Sequence, residues 1–159
     1  MNILLDTNIL LIYNRSNEIA SLIEQDFRLF DEENNLAVSV VSIGEIKSIL
    51  YQSGVGEKRI ERLEENLNRL VKIGIDHQEI IDKYVEIDAF SQGRHKTLSS
   101  SFSARNMGKN DLWIAATASA LDLTLVTTDK DFDHLAEHFI KLETINLTDY
   151  SNQIKNGKK

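Results

Sequence analysis

The sequence predicts an α/β fold with a central, mostly parallel sheet covered by helices on both faces. Three observations carry this expectation. The short apolar runs Ile3–Leu5, Leu36–Val41 and Leu123–Val126 are nearly continuous rather than alternating, as in strands buried on both faces. Between them lie longer segments with apolar residues at helical spacing. Strands and helices alternate along the chain, which favours parallel pairing through helical crossovers. The 159 residues suit one domain with a substantial core, expected over residues 1–150, followed by a polar, flexible tail at 151–159.

The opening stretch, MNILLDTNILL, sets the pattern. Ile3, Leu4 and Leu5 stop at Asp6, and apolar residues resume at Ile9, Leu10 and Leu11. A carboxylate at the end of a buried strand is costly to bury alone. A divalent cation would compensate it; a helix cap is the plainer alternative. Ser16 suits the cap of a helix reaching about Phe30, with Ile19, Leu22, Ile23 and Phe27 on one face. Asp31–Asn35 is a polar loop, and Leu36–Val41 is rich in β-branched residues, as a second strand. Ser42 with Glu45 three residues on has the form of a capping box for a helix to about Gln52, ended by Ser53, Gly54 and Gly56.

Glu57–Lys72 reads as an amphipathic helix. Its stripe of Ile60, Leu63, Leu67 and Leu70 suits either the core or a groove for a second copy or a partner protein. Leu70–Ile75 holds a short third strand, and Asp76 caps a helix to about Phe90. Gly93–Lys109 is the one long irregular stretch. Asn110 or Asp111 opens a helix ending near Leu121, and Leu123–Val126 forms the fourth strand, closed by Thr127, Thr128 and Asp129. A short helix over Asp131–Phe139 and an edge strand at Ile145 complete the expectation.

Hydrophobic residues make up 42% and charged residues 27%, values ordinary for a soluble globular protein. Cysteine is absent, which excludes disulfides and thiolate metal sites and suits a reducing compartment. Met1 leads straight into the first strand and no apolar run is long enough to span a bilayer, so the expected location is cytoplasmic, away from membranes. Proline is also absent, so boundaries rest on Gly, Asn, Asp and Ser.

The net charge of −7, from 18 basic against 25 acidic residues, argues globally against a nucleic-acid partner. Locally the balance differs. Gly93–Lys109 carries Arg94, His95, Lys96, Arg105 and Lys109 with no acid, and the C-terminal end adds Lys155, Lys158 and Lys159. An acidic enzyme still handles a polyanion when its cations are local and metal ions neutralise its carboxylates.

Set against these elements, the carboxylates fall in a pattern. Asp6 ends the first strand, Glu45 lies in the first turn after the second, Asp111 starts a helix, and Asp129 ends the fourth strand. Strand C-termini and the helix N-termini that follow them share one edge of a parallel sheet, where ligands bind. Crowded carboxylates raise one another's pKa unless a cation intervenes, and oxygen ligands select Mg²⁺ or Mn²⁺. Such a site suits phosphodiester or phosphoryl chemistry. Taken singly, each acid could instead serve a helix dipole or a turn.

In order, LLDTNILL, SIGEI, NDLWIAATA and LVTTDKDF resemble the four motifs of the PIN-domain family, over Met1 to about Asn146. The length and layout are similar to the VapC-type toxins of toxin–antitoxin pairs. The resemblance implies a three-layer, Rossmann-like PIN domain and a Mg²⁺- or Mn²⁺-dependent endoribonuclease acting on RNA. An antitoxin partner and a homodimer are expected with it. It places the family's acids, catalytic and metal-binding, on Asp6, Glu45, Asp111 and Asp129, with Asn8 and Thr127 at its polar positions. Asp131 is a candidate fifth acid or a solvated residue. Trp113 within the third motif and the lack of proline are departures that touch no acidic position.

Other readings stay open beside this one. LLDTN also resembles the strand-end nucleophile of haloacid-dehalogenase-like phosphatases, which expect a second Asp where this chain has Asn8. A non-catalytic PIN-fold binding module is the non-enzymatic rival. Trp113 suits the core better than a base-stacking role. Arg94, Lys96, Arg105 and Lys109 suit a solvated flap or a grip on RNA phosphates. The four histidines, His77, His95, His134 and His138, share no ligand spacing that fits the acidic edge. His134 and His138, at i and i+4, suit surface positions more than a metal pair.

Overall fold

The computed structural model describes residues 1–15 and 18–157. Ser16, expected to cap a helix, and the basic residues Lys158 and Lys159 lie outside the described residues. The sheet is all parallel, in the order β3-β2-β1-β4-β5. Its strands are β1 (Asn2–Leu5), β2 (Asn35–Ser39), β3 (Val71–Ile73), β4 (Thr124–Thr127) and β5 (Lys141–Thr144). Helices α1 (Thr7–Arg15), α2 (Glu18–Phe27), α3 (Val40–Gln52) and α4 (Glu57–Asn68) precede β3 or lie beside it in sequence. After β3 come α5 (Gln78–Ser91), α6 (Lys109–Ala120), a 3₁₀ segment (Lys130–Leu135) and α7 (Leu147–Gly157).

The central strands are buried on both sides, and their residues alternate between two cores. Ile3, Leu5, Leu36, Val38 and Val126 face a core shared with α1, α2, α3, α4 and α7. Leu4, Ala37 and Leu125 face the other, made with α5, α6 and the 3₁₀ segment. The result is the expected layering of helices, sheet and helices. No helix among the described residues is long and apolar enough to cross a membrane.

Several boundaries differ from the sequence expectation, each for a local reason. Strand β2 ends at Ser39, whose hydroxyl accepts a hydrogen bond from Val41 N at 3.3 Å and caps α3. The helix therefore starts before Ser42, and the expected Ser42–Glu45 capping box does not form. Ser42 is buried in the first turn, its hydroxyl without a hydrogen-bond partner, and Glu45 is left to a tertiary contact. His77, not Asp76, occupies the cap position of α5. Residues 130–135 form a 3₁₀ segment rather than a longer helix, capped by Asp129, which accepts from Asp131 N.

The tail expected from Ser151 is helical through Gly157 as part of α7. Tyr150, buried on that helix, donates to Asp26 Oδ2 of α2 at 2.9 Å. This attachment was not visible in the polar sequence. Leu63 and Leu67 of α4, with Leu70 just beyond its end, pack in the core as one expectation had it, whereas Ile60 stays 47% exposed. Asn14, buried at the end of α1, donates to Arg59 O at 2.7 Å and accepts from Arg59 Nε at 3.2 Å, joining α1 to α4.

Gly44 lies inside α3 with open space where a side chain would stand. A glycine in a helix interior costs about 1 kcal/mol relative to alanine. Gly44→Ala is expected to raise stability by about that amount, with Tm higher by roughly 2–4 °C for a chain of this size. Thermal denaturation followed by circular dichroism checks it.

Candidate active site

The C-terminal ends of β1, β2 and β4 bring the sequence-predicted acids to one edge of the sheet. Asp6 follows β1 directly and is buried to 3% exposure. Its backbone N–H continues the ladder to Val126 O at 3.1 Å, while its C=O accepts from Ile9 and Leu10 at the start of α1. Both carboxylate oxygens are engaged. Oδ1 accepts from Thr7 N at 2.6 Å, and Oδ2 accepts from the Thr127 hydroxyl at 2.6 Å across the β1–β4 boundary. Thr127 is itself fully buried and accepts from Asp129 N at 3.0 Å. Asp129 in turn accepts from Asp131 N at 2.8 Å, so one hydrogen-bonded path runs from Asp6 to the 3₁₀ segment.

Glu45 enters from α3. Its Oε2 accepts from the Thr7 hydroxyl at 2.7 Å. Thr7 therefore holds two acids, Asp6 through its amide and Glu45 through its side chain. The sequence alone does not single out Thr7; its tie to Glu45 depends on where α3 packs. Asn8, by contrast, is exposed. Asp111 lies in the first turn of α6 and is half-buried. Gly108 makes room for it, since a Cβ there would stand 2.7 Å from Asp111 Oδ2.

The electrostatics tie these groups together. Burial, and then the like charges of Asp6, Asp129, Glu45 and Asp131, push the Asp111 carboxyl up to about 6 from the ordinary 3.8. Asp6 is also raised, first by burial, with smaller contributions from Glu45 and Asp129. The Thr127 hydroxyl and Thr7 amide oppose that rise by bonding the charged form. Asp131 reaches Asp111 through its charge, although its own side chain is exposed.

This donor set fits a hard divalent cation. All its ligands are carboxylate oxygens, and the repulsion among them is what a cation would relieve. Among the described residues no three His, Asp or Glu side chains are gathered into a ready cluster. Mg²⁺ does not demand one, because it keeps several waters and binds through one or two carboxylates.

The histidines lie elsewhere. His134 Nε2 stands 2.8 Å from Ser91 Oγ, and the His134 and His138 rings both pack against Phe90. His95 Nδ1 accepts from Thr97 N and Leu98 N. The basic stretch is anchored to α5 at two points: Arg94 N donates to Ala89 O and Arg105 N to Ser91 O, both at 2.7 Å. Phe102 packs edge-on against Phe90 at 5.4 Å, and Met107 is buried. Its cations, Arg94, Lys96, Arg105 and Lys109, all remain exposed, with Lys109 opening α6 two residues before Asp111.

The PIN domain family matches residues 3–138, which takes in every element from β1 to the 3₁₀ segment. The chain belongs to the PIN-domain family. PIN domains are generally nucleases and typically use divalent metal ions. This PIN domain is similar in fold to VapBC2 from Rickettsia felis, solved bound to a DNA fragment from its promoter. The TM-score is 0.69 at 24% identity, over 91% of this chain and 98% of that one. It is also similar to VapBC-1 from nontypeable Haemophilus influenzae (TM-score 0.62, 26% identity, 91% and 98% coverage). A third neighbour is VapBC-5 from Mycobacterium tuberculosis, a member of the VapBC family of toxin–antitoxin systems (TM-score 0.58, 20% identity, 91% and 97% coverage). No curated protein sequence gives a significant match.

Two predictions follow from Asp111. Its folded-state carboxyl titrates near 6 and its unfolded one near 3.8, so the metal-free fold loses stability as pH rises through that window. Asp111→Asn removes the loss: in EDTA the variant is expected to melt above the wild type at pH 7, with the difference vanishing near pH 4. Scanning calorimetry at both pH values checks this. Gly108→Ala displaces the Asp111 carboxylate rather than backbone, and the extended backbone at Gly108 accepts alanine. It is expected to fold normally yet bind Mn²⁺ roughly tenfold more weakly by calorimetric titration.

Proposed function

We propose that this PIN domain is a metal-dependent endoribonuclease that hydrolyses RNA phosphodiester bonds, the toxin of a toxin–antitoxin pair. The observation that carries the proposal is the electrostatic convergence on Asp111 of Asp6, Asp129 and Glu45, from four separate segments of the chain. Carboxylates set against one another in this way oppose folding, and a cation bound among them gives the arrangement a use.

The residues divide the work. Asp6, Asp111 and Asp129 would hold Mg²⁺ or Mn²⁺, and Glu45 would bind it directly or through water, or take a proton from the attacking water. Bound there, the ion would polarise the phosphodiester and lower the pKa of its water. Thr127 and Thr7 keep Asp6 fixed and favour its charged form. Thr7 also fixes one oxygen of Glu45, leaving little freedom for that carboxylate to swing away. Arg94, Lys96, Arg105 and Lys109, held on an anchored loop that leads into α6, supply local positive charge for RNA phosphates in an acidic protein.

RNA, rather than DNA, rests on the family resemblance. The toxin role is supported by the VapBC neighbours, each a toxin–antitoxin protein. A cognate antitoxin and a second copy of the chain are the expected protein partners, in the cytoplasm. Exposed apolar residues on α3 and α4, among them Tyr51 and Ile60, offer contact surface to such partners.

The test is cleavage of a mixed pool of structured RNA with Mg²⁺ or Mn²⁺, with EDTA, and with Asp6→Asn. Metal-dependent cuts are expected, abolished by EDTA and reduced roughly 100-fold or more in the variant. A folded protein that neither cuts nor binds Mn²⁺ would transfer the reading to a non-catalytic module.

A further inference from the structure

Beside the acids, between α3 and α6, lies an open cleft of about 580 Å³. Gly44, Glu45 and Ser48 line it from α3, Asn110 and Trp113 from α6, and Ile75 from the segment after β3. Glu45 thus borders both this cleft and the acidic site, and Asn110 is the neighbour of Asp111. Trp113 is half-buried: it packs against the core, as the sequence suggested, and also lines the cleft. Its indole also contacts the Tyr84 ring, with centroids 4.3 Å apart and planes tilted by 35°.

We infer that this cleft takes a nucleobase of single-stranded RNA, stacked on Trp113, next to the phosphate that is cut. The inference rests on the nuclease reading and adds a subsite to it. Among the described residues Glu45 is the only charged one lining the cleft, so a phosphate is repelled there, while a neutral heteroaromatic ring is not. The base finds an aromatic surface in Trp113, apolar walls, and the side chains of Ser48 and Asn110 to bond its polar edge. A phosphate at the acids places its flanking base within reach, because Glu45 belongs to both surfaces. The site makes the enzyme prefer unpaired RNA, since a base held in a duplex cannot enter.

Trp113 is the single tryptophan of the chain, so its fluorescence reports the cleft directly. The probes are the four homopolymeric hexaribonucleotides and an abasic hexamer with the same backbone. They are titrated into wild-type protein in EDTA, where a metal-dependent nuclease leaves them intact, and again with Mg²⁺ before cleavage proceeds. Saturable quenching by at least one base-bearing hexamer, and none by the abasic one, is expected. Gly44→Leu fills the cleft from a position with open space and retains Trp113, and is expected to weaken that binding about tenfold without lowering Tm.

Absence of quenching by all four hexamers in both conditions overturns the proposal. So does Trp113 emission that shifts with protein concentration and not with RNA, which would assign the cleft to a second copy of the chain. Quenching without metal-dependent cutting would sink the nuclease reading and keep the base site; cutting without quenching would do the reverse.

Discussion

A carboxylate buried at the end of the central strand is the constraint from which the rest of this structure follows. Asp6 is 3% exposed, and a charge so placed costs several kcal/mol unless its oxygens are bonded. Thr7 N and the Thr127 hydroxyl meet that demand. Each of these partners then fixes another acid: Thr7 bonds Glu45, and Thr127 bonds the amide of Asp129. A single unfavourable group thereby ties together β1, β4, α3 and the start of the 3₁₀ segment.

The acids remain a net opponent of the fold, as the raised Asp111 and Asp6 carboxyls show. What outweighs them lies away from the edge, in two apolar layers. Phe90, Phe132, Ile80 and Ile87 are fully or almost fully buried on one side of the sheet, and Ile9, Ile23, Ile46, Leu63 and Leu67 on the other. The repulsive groups are gathered where the strands end, and the two cores hold the strands that carry them. Rigidity and charge crowding are thus assigned to different parts of the molecule, a division common at sites that work on charged ligands.

Much of this was legible in the sequence, and for physical reasons. Strands buried on both faces must be continuously apolar, so β1, β2 and β4 announced themselves, and a parallel sheet then forced Asp6, Asp129 and the helix-start acids to one edge. The failures share a different cause. Ser39 and Ser42 are equally good caps by composition, and only the pairing of β2 with β3 decides that the strand stops at Ser39. Thr7 reads as an ordinary helix-start residue until α3 is packed beside it. Tyr150 sits in a polar stretch whose helix is stabilised by a partner on α2, 124 residues away in sequence. Trp113 does pack against the core, but unlike Leu112 and Ile114 it is not fully buried, because a helix turns adjacent residues to different faces.

The strand order β3-β2-β1-β4-β5 places the first strand made at the centre and gives it a late neighbour, β4. On a ribosome, the N-terminal half of the chain emerges with β1, β2 and β3 available to pair but with one flank of β1 bare. Asp6 then lacks Thr127, and neither Asp111 nor Asp129 exists. Every nascent or truncated chain that stops short of β4 is therefore chemically incomplete as well as open at its central strand. The topology thus writes a delay into synthesis: no partial product of it carries the complete set of acids.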